Sequence, residues 1–437
     1  MRKIFKLSWP VMLGVVLQNL LGTVDLYFVG KLGTTEIAAV SLINSLLMVI
    51  YMLSTLVSAG AIANVSRAYG EGNIEKIRQL TGKSYFLSLI LGVGVSFITV
   101  ILAYPLITKL YKADAATLTA AYTFALVSFA ATFIVFMNST LKTIIQATGD
   151  TKTPLYIFGL CNLINMILDP ILMFGLDLGI QGAAWATALA NLIGCILLNR
   201  LVLKKFYNNK MKQITRYFTL EWRSIKPILT VGGWACIQSI ARPLTGTLMT
   251  SLVLTVGGVK ATAAFGAGGQ VLNYTFIFLS GLSMAISILV GQSLGEGKID
   301  RCNKIIHEGL KLAFINMIIF AIPYLIFPKQ VISIVAREPE VINIGIEYLR
   351  IVYIGVIAVV FPDILGAAFR GAGDTYPPMI ASILANVVFK LPCAYVLAVL
   401  CKVGTKGIWI AIALSVIVEG IMMIKYFKRG TWKEKKI

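Results

Sequence analysis

The chain has 437 residues, of which 58% are hydrophobic and 13% charged, with a mean hydropathy of +0.84. Soluble domains carry about 25% charged residues, so this balance excludes a soluble globular protein and describes a polytopic membrane protein. A net charge of +20 does not indicate nucleic acid here, because Lys and Arg cluster in short segments between apolar runs.

The first apolar run follows Met1-Arg2-Lys3, contains Pro10, Gln18 and Asp25, and continues to Gly30. It is expected to be the first span rather than a cleavable leader. A window of about 20 residues then predicts twelve helices. They run over 7–30, 38–63, 82–106, 119–145, 154–175, 181–203, 227–255, 261–292, 309–330, 345–369, 377–400 and 407–427. The polar, basic stretch 204–226 between the sixth and seventh is the expected cytoplasmic linker, separating an N-lobe (1–203) from a C-lobe (227–437). With a cytoplasmic N-terminus, 28 of the Lys and Arg fall in inside segments against 8 outside, so both termini are expected in the cytoplasm. The six cysteines are scattered, without a C-x-x-C pair, and read as apolar fillers. His307, the only histidine, lies in a basic loop without a ligand partner.

The halves repeat each other. Gly70-Glu71-Gly72 after the second helix is matched by Gly295-Glu296-Gly297 after the eighth, an offset of 225. Gly149-Asp150-Thr151 ahead of Pro154 is matched by Gly373-Asp374-Thr375 ahead of Pro377 and Pro378. As local chemistry these are helix stops and caps. As a repeat of six helices they predict an all-α fold of two six-helix lobes related by a pseudo-two-fold along the membrane normal. Transporters are built that way.

The fifth predicted helix carries Asn162, Asn165 and Asp169 at i, i+3 and i+7, which puts all three within an arc of about 60°. A carboxylate at a span centre costs roughly 2.5–3.5 kcal/mol on insertion scales. Pro170 cannot donate to the Met166 carbonyl, so a backbone oxygen is expected to be freed one turn below Asp169. Asp25 in the first helix has Gln18 seven residues before it on the same face, and the sixth helix offers Thr187 and Asn191. Carboxylate, amide and hydroxyl oxygens together suit a hard cation such as Na⁺. Two neighbouring buried carboxylates also oppose each other's ionisation and can share a proton.

These features, in this order, resemble the multidrug and toxic compound extrusion (MATE) family. The carrying residues are Gln18 through Gly33, the paired Gly-Glu-Gly and Gly-Asp-Thr segments, and Asn162 through Pro170. The resemblance covers nearly the whole chain. It implies a twelve-helix antiporter, not an enzyme, exporting amphiphilic drugs and toxic organic compounds by alternating access against inward Na⁺ or H⁺. The pair of acids in the first half is similar to the archaeal and DinF-like branch. There, the resemblance implies a cation site at Asp25, Asn165, Asp169 and Thr187, binding Na⁺ if sodium couples transport. The other branch uses acids on helices seven and ten. Here the first is missing and Asp363 lies near the second position.

The repeat offset sets Thr250 against Asp25 and Cys393 against Asp169, so the second half lacks that pair. It carries Arg242 and Lys390 in apolar spans instead, with Asp363 as the nearest acid. A substrate cavity is expected to draw on Gln18, Asn138, Asn162, Met166, Arg242 and Lys390, acidic on one wall and basic on the other. The expected partners are small amphiphilic organic substrates and membrane lipids, with no nucleic acid and no cofactor beyond the coupling ion. The chain is expected to act as a monomer in the cell membrane. Two other readings compete. A flippase or exporter of lipid-linked or other anionic amphiphiles would explain the basic residues. An intramembrane aspartyl protease would need the Asp of Gly371-Ala372-Gly373-Asp374 at mid-membrane, and that Asp falls in a loop.

Overall fold

The computed structural model describes residues 1–110, 114–219 and 221–435. Lys112 and Lys436, both counted for orientation, lie outside the described residues. In lipid the backbone must satisfy its own polar groups, and the apolar runs do so as helices. The spans are α1 (Arg2–Gly30), α2 (Thr34–Gly70), α3 (Ile74–Ile101), α4 (Ala115–Ala130 with Thr132–Ala147), α5 (Lys152–Gly175) and α6 (Gly179–Tyr207). Trp222–Gly295 is a single helical run of 74 residues. Straight, it would measure about 110 Å, several times the ~30 Å of bilayer hydrocarbon. Gly258, at φ 72° and ψ −167°, breaks it into α7 (222–257) and α8 (259–295). The chain closes with α9 (Ile299–Ile326), α10 (Pro339–Ala372), α11 (Tyr376–Leu400) and α12 (Thr405–Arg429). Twelve spans were expected, and twelve are present among the described residues.

The paired loop motifs do the work their chemistry suggests. Gly72 and Gly297 turn at φ 68° and 72°, a left-handed conformation that glycine adopts without steric penalty. Asp150 accepts the Thr153 backbone N–H at 3.0 Å and so caps the start of α5.

The chain folds into two compact units. One is Leu13–Cys236; the other joins Met1–Met12 to Ile237–Ile437. In the first unit a core of Val29, Ile43, Phe129, Met173 and Ala184 gathers α1, α2, α4, α5 and α6. In the second, Ile4 and Leu7 join a core that includes Ile286, Tyr353, Phe369 and Trp409. Small residues let helices approach closely, as membrane packing favours. A Cβ at Gly232 would fall inside the van der Waals radius of Leu56 O, and one at Gly60 inside that of Ile228 O, so α7 begins pressed against α2.

Three local irregularities shape the first unit. The two segments of α4 meet at 43°. Ser96 of α3 explains the break: its hydroxyl donates to Ala130 O at 3.2 Å and accepts the Phe133 N–H at 3.0 Å, entering the helical ladder. After Pro170, α5 widens into a π-turn over Ile171–Gly175, with the Leu176 N–H on Ile171 O at 2.9 Å. The basic stretch after α6 returns to α3, where Arg78 Nε donates to Phe206 O at 2.6 Å and Lys83 pairs with Glu221 at 3.2 Å.

Candidate ion-binding site

The structure brings Asp25, Asn165, Asp169 and Thr187 together inside the first unit. α1 supplies Asp25, α5 supplies Asn165 and Asp169 from one face, and α6 supplies Thr187 across from them. Asn165 and Asp169 are fully buried at 0% exposure. The Asn165 amide brings the two carboxyl groups together, with Asp25 Oδ1 3.0 Å from one of its polar atoms and Asp169 Oδ1 3.5 Å from the other. Oriented one way, the Asn165 amide donates to Asp25 Oδ1 at 3.0 Å and accepts the Thr187 backbone N–H at 3.2 Å. Reversed, Nδ2 faces Asp169 Oδ1 at 3.5 Å and Thr187 Oγ1 at 3.3 Å, while the amide oxygen opposes Asp25. The first orientation satisfies both ends of the amide.

Two carboxylates at this separation cannot both stand charged and bare. Unit charges about 4 Å apart interact with about 4 kcal/mol at an effective dielectric of 20. Asp169 Oδ2 is buried and has no hydrogen-bond donor, which is the mark of an oxygen that works with an ion, a proton or water. Beside Asp25 opens a cavity of about 160 Å³, lined also by Asn44, Tyr51, Ser128, Thr187 and Asn191 among others. A water takes about 30 Å³ of liquid volume, so a small cation with a few waters fits there. Drug-sized ligands occupy pockets of about 300–1,000 Å³ and do not fit. The described residues hold no cluster of three His, Cys, Asp or Glu, so two acids with neutral oxygens form the donor set. That set matches a monovalent hard cation or a proton.

The residues expected to line a substrate cavity lie outside this pocket. Asn138 is buried and donates to Asn191 O at 2.9 Å, while Asn191 donates to Thr187 O at 2.9 Å, so Asn138 supports the site from behind. Asn162 donates to Leu17 O at 3.2 Å and ties α5 to α1. Gln18 and Met166 are exposed on the unit's surface. Asn44, Tyr51 and Ser128 line the cavity without having been singled out; as isolated polar residues in apolar runs they gave only a weak signal.

The basic residues of the second unit belong to a separate circuit. Arg242 of α7 pairs with Glu419 of α12 at 3.1 Å and with Asp363 of α10 at 3.8 Å. Glu419 Oε2 accepts Asn386 Nδ2 of α11 at 3.1 Å, and Asn386 Oδ1 accepts Lys390 Nζ at 2.5 Å. The Arg242–Asp363 pairing was expected. Glu419 and Asn386 were not, although an acid in the middle of an apolar run is the same signal that marked Asp169.

Residues 10–171 and 235–396 match the MatE family model, two stretches set 225 residues apart like the Gly-Glu-Gly pair. The chain is 28% identical to the probable multidrug resistance protein NorM of Thermotoga maritima, across 100% of this chain and 94% of that relative. It is 25% identical to the FAD transporter of Shewanella oneidensis, across 96% and 92%. Among solved structures it is similar to a MOP superfamily transporter from Pyrococcus furiosus, with a TM-score of 0.89, 24% identity and coverage of 99% and 96%. That last likeness speaks to the fold.

Proposed function

This chain belongs to the MatE family, whose members are membrane transporters and not enzymes, and from that premise we propose an antiporter that exports amphiphilic organic compounds while admitting Na⁺ or H⁺ at Asp25 and Asp169. It is a multi-pass membrane protein related to multidrug efflux proteins. The observation that supports the coupling is that Asp25 and Asp169 meet at the Asn165 amide, with Asp25 on the wall of a cavity sized for an ion and too small for a drug.

In this mechanism a cation or proton cancels the repulsion between the acids of α1 and α5. Asn165 steadies Asp25 while Thr187 and the cavity waters complete the oxygen shell. Loading thereby favours the packing of α1 in which the acids stay close, and unloading favours one in which they part, with Gly14 or Gly22 as the hinge. The ion shifts this equilibrium only by its differential affinity for the two states, which is what links it to the alternating exposure of substrate. The proposal includes a cell-membrane location with both termini cytoplasmic, supported by the charge count, and a monomer among lipids. It divides the chain into lobes 1–203 and 227–437 joined by the linker 204–226.

The test is ethidium efflux from proteoliposomes under separate Na⁺ and pH gradients. Wild type is expected to export dye under at least one gradient, and Asp25→Asn and Asp169→Asn to lose at least about 90% of that rate, a barrier change of about 1.4 kcal/mol or more. Wild-type rates in both variants would refute the coupling role.

A second reading has a specific observation behind it. The circuit around Arg242 and Lys390 is the reverse of what a simple cation exporter needs, and it favours anionic amphiphiles, lipid-linked ones included. One relative is described as an FAD transporter, and FAD is an anionic compound.

A further inference from the structure

Arg242, Asp363, Lys390 and Glu419 come from four spans and take no part in the ion site. Arg242 is answered twice, by Glu419 and by Asp363. Glu419, whose side chain is 6% exposed, has both oxygens occupied, one by Arg242 and one by Asn386. Lys390 ends this chain on the neutral oxygen of Asn386, and among the described residues no carboxylate lies within 4.0 Å of it. Two cations and two carboxylates balance in number, but both carboxylates pair with Arg242, and Lys390 has no ion pair within 4.0 Å among the described residues.

A lysine near the end of a span escapes this expense by snorkelling to the headgroups. Lys390 is ten residues from the nearer end of α11, about 15 Å along the axis, and its ammonium is drawn back one turn to Asn386. The helix there is π-wound over Leu384–Lys390, and interruptions of this kind recur at functional sites. Arg242 sits near the middle of α7 with its side chain 43% exposed. A charged group at that depth is costly against lipid tails, and the 43% of the Arg242 side chain left exposed is the edge a solute can reach. A brace built only for stability would bury Arg242 and give Lys390 a carboxylate.

We infer that Lys390 and the open edge of Arg242 form a subsite for the phosphate or carboxylate group of an amphiphilic substrate, with Glu419 and Asp363 holding Arg242 in place. The inference rests on the exporter reading and specifies its substrate class as anionic. An incoming anion takes the protons that Lys390 leaves unused and a second contact on Arg242, which is charge-assisted and suited to a bidentate anion. Glu419 stays on Asn386 and keeps the site from collapsing when empty.

The experiment uses the full chain in phosphatidylcholine nanodiscs and reads the unfolding temperature against two matched probe pairs. Flavin mononucleotide and riboflavin differ by one phosphate and represent a soluble source. Dihexanoyl phosphatidic acid and dihexanoylglycerol represent a lipid headgroup. At least one phosphate-bearing probe is expected to raise the wild-type midpoint, with apparent affinity roughly tenfold or more above its phosphate-free partner. Which pair responds identifies the source. Lys390→Gln should abolish the preference and Lys390→Arg should keep it, with Lys390→Met replacing Lys390→Gln if the latter does not fold. No preference for phosphate in wild type, or an undiminished preference in the neutral variants, overturns the inference. Gradient-driven efflux of ethidium and of carboxyfluorescein, an anionic dye, by wild type is measured alongside. If efflux of either dye persists without a phosphate effect, only this subsite is lost; if neither dye is exported, the exporter reading fails on its own.

Discussion

Asn165 is the residue on which the proposed ion site turns, because its amide reaches from α5 to both Asp25 and Thr187. Asn165→Ala removes the donor to Asp25 and the acceptor for the Thr187 N–H. Losing a buried partner costs about 1–3 kcal/mol, so the half-saturating concentration of the coupling ion should rise by about fivefold or more in a transport titration. An unchanged value would show that the amide is packing alone. Asp25, Asn165 and Asp169 stand out in the sequence because acids and amides inside apolar runs are expensive, whereas Thr187 is marked only by the family resemblance. Glu419 was equally visible in the run Thr405–Lys428, yet its meaning depends on Arg242, 177 residues away. Asn138 looked like cavity lining because sequence shows only that a polar residue is in a span. Whether it faces the ion or stands behind it is decided by Asn191, one layer nearer.

At the scale of elements, close approach and broken ladders set the shape of the first unit. Gly232→Ala would drive a methyl into Leu56 O, and α7 can relieve it only by moving away from α2. Overpacking of this kind typically costs about 1–3 kcal/mol, and Gly232→Ala should lower the unfolding midpoint in detergent where a change at the open Gly22 should not. Ser96→Ala tests the bend in α4. Without the hydroxyl the Phe133 N–H has no partner at the break, so the variant should lose about 1–3 kcal/mol of stability or straighten the helix; full stability with an unchanged bend would contradict the account. Span positions were readable from hydropathy to within several residues. The bend was not, since its cause lies on α3, and neither was the π-turn, because a proline announces an interruption without saying how the backbone resolves it.

At the scale of the whole molecule, a duplicated plan has been used asymmetrically: the first half carries a paired-acid site and the second a mixed-charge circuit. The basic stretch after α6 is fastened to α3 by Lys83 and Glu221, the lysine almost fully buried. Hydrogen bonding from Ser224 and then the bond and charge of Lys83 hold the Glu221 carboxyl below its usual range. A group depressed in the folded state adds stability above its ordinary value near 4.5 and loses it as pH falls through the lowered one. Glu221→Gln should therefore lower the unfolding midpoint at neutral pH, with the difference from wild type fading in acid. The duplication itself was plain in the paired loop motifs, whereas the division of labour emerged only when residues far apart in the chain were seen to meet.

The central claim is that Asp25 and Asp169 trade one small positive particle between them. Infrared difference spectroscopy of the carboxyl stretch, recorded on the purified chain as Na⁺ is added and as pH is raised, tests it most directly. The account predicts a carboxyl band that changes with one or both treatments in wild type and is missing from the Asp25→Asn, Asp169→Asn double variant. A spectrum that responds to neither treatment, or a response that survives in the double variant, would contradict it.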